Sequence, residues 1–420
     1  MQLMKTKMKV AVCALALGVG VLGAKQFDPQ VCNAKIGAGA YNYAAVREAV
    51  AQKMWGPLSS QGINSMKDVE ACYEAAAQSG ITTAYTDLGD LYKESKQYQK
   101  ALLAYQKAAD KGDDEAILDL GFLYANGNGV AKDYHKAFKY FEKASLKGNV
   151  VGLIELGTLY QHGWGVKKDY AKAMEYYQKG KTNKKGQMML LAYYNIGFLY
   201  IKGLGVQKDY AKAVEYLQEV KNNSGVLGGM ANNILGSIYE NGGYGIEQDY
   251  DKAYDYYQKG VNAGNKDAKR ALIAMLNGLA KKAQDTQNYS GALDFYKRIV
   301  DAGDPDGYVH VGLMYKEGRG VQKDTQQALE YFQKGADNGS AWGYTELGNM
   351  YKDGQGVAQD YQEALKNYKK AAKGGNAQGY YGLGALYAKG LGVPKNVQKA
   401  QEYYKKACDK GLKQACTASK

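Results

Sequence analysis

"LGTLYQHGWGVKKDYAKAMEYYQKG", residues 156–180, decides the fold because the chain repeats it. "LGFLYANGNGVAKDYHKAFKYFEKA" begins at Leu120, "LGSIYENGGYGIEQDYDKAYDYYQKG" at Leu235, "LGNMYKDGQGVAQDYQEALKNYKKAA" at Leu347 and "LGALYAKGLGVPKNVQKAQEYYKKAC" at Leu383. The glycine of the opening Leu-Gly recurs as Gly89, Gly121, Gly157, Gly197, Gly236, Gly312, Gly348 and Gly384. Intervals run from 32 to 40 residues, except for one of 76 that hides a degenerate unit, "AKRALIAMLNGLA", with Ile273 at the glycine position. A fixed period in this range is the mark of a repeat array rather than of several independent domains.

Each unit reads as two helices. Five residues before the anchor glycine stands a small residue (Ala84, Ala116, Gly152, Ala192, Ala231, Ala268, Gly307, Gly343, Gly379), a leucine or similar residue precedes the anchor, and most units place Tyr three after it. These positions share one face of a first helix, helix A. A second helix, helix B, carries Ala137, Ala173, Ala213, Ala253, Ala292, Ala328, Ala364 or Ala400, followed three or four residues later by aromatics such as Tyr140, Phe141, Tyr176, Tyr177, Tyr403 and Tyr404. Small residues let two helices approach and aromatics fill the groove beside them. One such pair cannot bury its apolar surface alone, whereas stacked pairs can.

Between the helices lies a glycine loop, "NGNGV", "HGWGV" or "EGRGV" among its copies. A phosphate loop needs a preceding strand and usually GxxxxGK[ST]. Neither is present, and the loop occurs seven times, so it predicts a helix stop and tight turn with glycine at positive φ. Asp133, Asp169, Asp209, Asp249, Asp324 and Asp360 follow at a fixed offset and predict N-caps of helix B.

The unit at 82–112, with "YTDLGDLYKESKQYQKALLAYQKAADKG", lacks the loop, and its Leu88, Gly89, Tyr92, Ala101, Tyr105 and Ala108 fit tetratricopeptide spacing. With the GxGV-type insert, the other units resemble the SEL-like repeat family, a tetratricopeptide relative. That resemblance spans about residues 82–410 and implies an all-α, right-handed αα-solenoid superhelix of about ten helix pairs. "VEACYEAAAQSG" before Gly80 has helix B register, and "YNYAAVREAVAQKMWG" reads as its helix A. Residues 25–81 are thus expected to form N-terminal capping helices, and 411–420 a C-terminal cap.

Residues 1–24 stand apart. "MQLMKTKMK" is basic and "VAVCALALGVGVLGA" apolar, closing on small residues, which reads as a secretory signal cleaved after Ala24. The run is short for a membrane span, and no long apolar segment follows, so the mature chain is expected to be exported, periplasmic or secreted, with no membrane span. Its net charge falls from +13 to +10 with the loss of Lys5, Lys7 and Lys9. Export argues against a nucleic-acid partner, and the basic surface suits anionic envelope polymers or acidic host surfaces, or serves only as a solvated lysine face.

Four cysteines remain, Cys32, Cys72, Cys408 and Cys416, an even number in an exported chain and with no CxxC. "KKACDKGLKQAC" resembles the cysteine pairs of the Helicobacter cysteine-rich branch of SEL-like repeats, which implies a Cys408–Cys416 disulfide at the C-terminal cap. Cys32 and Cys72 are left to staple the other end. Metal binding by all four fails because the pairs sit at opposite ends of the array. The same resemblance implies β-lactam binding or weak β-lactam hydrolysis as an alternative activity, for which no serine–lysine pair, HExxH or GxSxG is found. His135, His162 and His310 fall at different phases of different units, so they form no recurring cluster.

No cofactor or metal is therefore expected, and function is expected in a groove lined by helix A. In tetratricopeptide arrays, positions one after the anchor and three or six before it point inward. Carried over, they give Phe122, Tyr194, Phe198, Asn233, Trp342, Asn349 and Tyr381, with Leu118, Ile154 and Val309. Aromatics interspersed with asparagine suit an extended peptide: rings hold side chains and carboxamides meet backbone. The expected partner is a protein or peptide, with peptidoglycan-derived peptides and host proteins as candidates.

Overall fold

In the computed structural model the described residues are 34–36, 39–41, 66–181, 187–223 and 225–418. The signal segment 1–24, Cys32 and the helix expected after Tyr41 lie outside them. Two compact units divide the chain, Met1–Tyr176 and Tyr177–Lys420.

In the first unit, a short hairpin pairs Ala34–Ile36 (β1) with Gly39–Tyr41 (β2) antiparallel, a local departure from all-helical structure. Helices follow: α1 (Met66–Gln78), α2 (Thr82–Glu94), α3 (Tyr98–Asp110), α4 (Asp114–Asn126), α5 (Tyr134–Leu146) and α6 (Val150–His162). The boundary falls within α7 (Tyr170–Lys181). The second unit continues with α8 (Gln187–Lys202), α9 (Tyr210–Gln218), α10 (Val226–Asn241), α11 (Tyr250–Asn262), α12 (Lys266–Asp285) and α13 (Tyr289–Asp301). It ends with α14 (Pro305–Glu317), α15 (Thr325–Asp337), α16 (Ala341–Asp353), α17 (Tyr361–Lys373), α18 (Ala377–Lys389), α19 (Val397–Asp409) and α20 (Lys413–Ala418). Within each unit, consecutive helices pack as A–B pairs on their neighbours, the arrangement of an α-solenoid.

The repeated residues explain the packing. The small residue five before each anchor is buried, as is the residue preceding it, from Leu88 to Leu383. The anchor glycine is required by a ring. An added Cβ on Gly121 or Gly348 would lie 2.5 Å from Phe141 or Tyr368, the aromatic four after the helix B alanine, and Gly236, Gly312 and Gly384 meet Tyr257, Phe332 and Tyr404 at 2.6 Å. At Gly197 the partner is Leu217, at 3.0 Å. Helix B thus presses an aromatic side chain directly onto the backbone of helix A.

The tyrosine three after the anchor sits at the edge of this core. There it stacks on the aromatic three after the helix B alanine: Tyr124 on Tyr140 at 5.6 Å and 11°, Tyr200 on Tyr216 at 5.8 Å and 14°, Tyr315 on Tyr331 at 5.5 Å and 13°. A helix B lysine often covers the other face, as Lys136 does over Tyr124 at 5.1 Å and Lys212 over Tyr200 at 5.5 Å. Offset ring pairs and cation–π contacts each add about 0.5–1.5 kcal/mol beyond burial.

The "HGWG" loop is structural. Gly163 ends α6 in the left-handed region at φ 72°, and the amides of Gly163 and Trp164 both donate to Leu159 O, so they are not free to cradle an anion. Gly165, at φ 67°, lies against the backbone of Tyr134, the first residue of the preceding helix B, with an added Cβ at 2.5 Å. Asp169 accepts from Lys172 N at 3.0 Å, and the other five aspartates cap their helices in the same way. His162 stacks on Trp164, which stacks on Tyr134, and His135 meets Gly165 O, so these two histidines belong to the hinge.

Candidate functional site

The unit with Ile273 breaks the pattern. Its helix A, α12, runs for 20 residues instead of the usual 13, and the turn after it, with Gln287 at φ 59°, has no glycine loop. In its helix B, Tyr296 occupies the position whose ring elsewhere rests on the anchor glycine. Here that ring lies parallel to His310 of the next helix A, with centroids 4.2 Å apart and planes at 4°.

His310 begins a chain of contacts across α14 and α16. Its other partner is Trp342, edge-on at 4.8 Å and 85°. Trp342 Nε1 donates to Glu346 Oε1 at 3.1 Å, Asn349 Nδ2 donates to Glu346 Oε2 at 3.3 Å, and Lys316 Nζ pairs with Oε2 at 3.6 Å. Tyr368 Oη donates to Asn349 Oδ1 at 2.7 Å. The Glu346 side chain is 13% exposed, and Trp342, His310 and Asn349 are half-buried. Burial holds the His310 imidazole below its ordinary value, with Asp306 and Asp304 opposing, so it is neutral near pH 7. The result is a half-open surface of one large ring, one neutral imidazole and a carboxylate fixed by three donors. A pre-positioned aromatic–polar surface of this kind holds a ligand side chain while orienting its polar groups.

Of the residues expected in the groove, the structure brings together Trp342 and Asn349, through Glu346. Three others are corrected: Tyr194 is 3% exposed, and Ile154 and Val309 are fully buried. In these three copies the side chain three before the anchor turns toward the neighbouring helices rather than outward, and burial raises the Tyr194 hydroxyl. Leu118, Phe122, Phe198, Asn233 and Tyr381 are half-buried. Phe122 packs edge-on to Phe141 at 5.2 Å and Tyr381 tilts against Tyr404 at 5.3 Å, so neither is a bare platform.

The residues that were missed lie two before the anchor. In six of the eight units that column is polar, Asp87, Asp119, Glu155, Asn195, His310 and Glu346, against Ile234 and Gly382 in the other two, and this polarity was the available signal. In the first unit, Asp119 pairs with Lys93, which also meets Asp90, and Tyr105 Oη donates to Asp90 at 2.7 Å. Burial pushes the Glu155 carboxyl up to about 7. Among the described residues no three of His, Cys, Asp and Glu gather as a metal site, and no helix is long and apolar enough to cross a membrane.

Cys408 and Cys416 face each other across the α19–α20 turn, with Cα atoms 4.8 Å apart. Cys72 is buried in α1, while its expected partner lies outside the described residues.

Paired helices, glycine hinges and ring-on-glycine contacts define an α-solenoid of short tandem repeats. The profile of the Sel1 repeat family matches residues 82–113, 114–149, 150–183, 190–219, 229–265, 305–340, 343–376 and 377–412, and the chain belongs to this family of protein-interaction scaffolds. The profile passes over the pair that carries Ile273 and Tyr296. Among solved structures, the chain is 24% identical to a protective antigen of uropathogenic Escherichia coli with an SLR fold, covering 90% of this chain and 89% of that one, with a TM-score of 0.50. It is 28% identical to Helicobacter pylori cysteine rich protein B over 33% of this chain and 92% of that one, with a TM-score of 0.24. A curated relative, the ERAD-associated E3 ubiquitin-protein ligase component HRD3 of Candida glabrata, is 42% identical over 60 residues, 14% of this chain. The match spans only 7% of that protein's length.

Proposed function

We propose that the protein is an exported, non-catalytic scaffold that binds an extended segment of a partner protein or peptide along its helix A groove. Residues 1–24 act as the cleaved signal and 82–410 as the binding array. One observation carries this reading: the repeat breaks at Ile273, and beside the break the rings of Tyr296, His310 and Trp342 are added in series to Glu346, whose pairing with Lys316 repeats that of Asp119 with Lys93. Tyr296 is buried, while His310, Trp342 and Glu346 are half-buried and held in place by these contacts. Trp342 and the neutral His310 suit an aromatic or aliphatic side chain, and Lys316 beside Glu346 offers a donor to a backbone carbonyl or carboxylate.

The test is selection from a random peptide library with the purified mature chain, followed by titration of the selected peptide. Trp342→Ala is expected to weaken binding about tenfold or more, since buried tryptophan anchors exceed about 1.4 kcal/mol. Equal affinity for the wild type and W342A places the site elsewhere.

A further inference from the structure

Among the units that carry the glycine loop, the repeat also predicts a ring that one lacks. In six units the tyrosine three after the anchor stacks on a helix B tyrosine, at 5.5 to 5.8 Å with planes within 20°. In the unit of α16 and α17 the first ring is Tyr351, but Asn367 stands where the second should be. Asn367 does not fill the space: it is buried, and its Nδ2 turns back to Glu363 O at 2.9 Å. The residue at the position of the covering lysine is Glu363. Beside Tyr351 opens a cleft of about 430 Å³, lined also by Leu329, Glu330, Gln333 and Lys334 of α15.

The regular units show what fits there. The helix B tyrosine also reaches a glutamine of the preceding helix B: Tyr140 Oη donates to Gln106 Oε1 at 3.4 Å, and Gln178 Nε2 donates to Tyr216 Oη at 3.1 Å. Where the tyrosine position holds Phe295, the corresponding Gln258 is left with a buried, unpartnered Oε1. Gln333 is set as Gln106 is, each donating Nε2 to an aspartate one turn on, Asp337 or Asp110, at 2.7 Å. Yet Gln333 is exposed where Gln106 is half-buried.

We infer that this cleft receives the tyrosine side chain of a partner protein, its ring stacked on Tyr351 and its hydroxyl donating to Gln333 Oε1. The occupant follows from the filled copies, in which the same surroundings hold a phenol of this chain. The site is separate from the Trp342 surface and stands independently of it.

N-acetyl-tyrosinamide is titrated against the mature chain by ligand-observed NMR. Saturable binding is expected, about tenfold weaker or worse in Asn367→Tyr, which supplies the missing ring, and that variant should melt at a higher temperature. Tyr351→Leu, which keeps the bulk but loses the stack, should also lose binding, and Trp342→Ala should retain it. N-acetyl-phenylalaninamide should bind more weakly for want of the hydroxyl. No saturable binding, or binding undiminished in N367Y or Y351L, overturns the site; equal affinity for the phenylalanine probe overturns the assignment of tyrosine.

Discussion

Gly348→Ala and Gly278→Ala make the same chemical change in two helices, and the packing account requires opposite outcomes. Both lie in helix interiors, where alanine is favoured over glycine by about 1 kcal/mol. Gly278 has nothing within 4 Å of an added Cβ, so G278A should raise stability by about 0.5–1 kcal/mol. Gly348 is different, because its Cβ would sit 2.5 Å from Tyr368 Cε1, about 1 Å inside ordinary carbon contact. The backbone of Gly382 also lies close against the ring, since an added Cβ there would be only 2.7 Å from it, which limits how far the ring can retreat. Overpacking of this kind costs about 1–3 kcal/mol, and displacing the ring also loosens the Tyr368–Asn349 hydrogen bond, worth about 1 kcal/mol. Less the helix gain, G348A should destabilise by about 2 kcal/mol, a fall in Tm of about 4–8 °C for a unit of this size. Thermal and urea melts followed by circular dichroism measure both variants. If G348A is as stable as G278A, the ring-on-glycine contact does not hold the repeat together.

Other outcomes follow from the first unit and the C-terminal cap. Glu155 keeps its proton in the folded state to about pH 7, against an ordinary value of 4.5, so stability present at low pH is lost as pH rises through that window. Glu155→Gln should therefore raise the melting temperature at pH 8 and leave it nearly unchanged at pH 4; equal effects at both would show the carboxyl to be solvated. At the cap, non-reducing peptide mapping should find Cys408 joined to Cys416, and reduction should cost about 2.5 kcal/mol at the terminal pair. Free thiols there would refute the bridge.

Much of the fold was legible in spacing. The small residue, Leu-Gly and tyrosine fixed one helix face, and the aspartates after six of the seven glycine loops fixed where the second helix starts, because capping and close approach are local demands. The Ile273 break was also visible, but not its consequence: that Tyr296 meets His310 depends on where a ring goes when its glycine is missing. Of the groove positions transferred by register, Trp342 and Asn349 share contacts with Glu346, whereas Tyr194, Ile154 and Val309 turn toward neighbouring helices. Glu346 and Glu155 were passed over because a single polar residue in a helix reads as solvated until its neighbours are known. Asn367 stood in plain view in the aligned copies, yet its meaning required the stacked tyrosines of the other units.

The central claim, that binding lies where the copies differ, is tested most directly by hydrogen–deuterium exchange of the mature chain with and without a peptide selected for binding. The account predicts slowed exchange in α14 and α16, around His310, Trp342 and Asn349, and little change in regular pairs such as α4 and α5. Protection confined to the regular pairs or to the loop at 163–169 would contradict it.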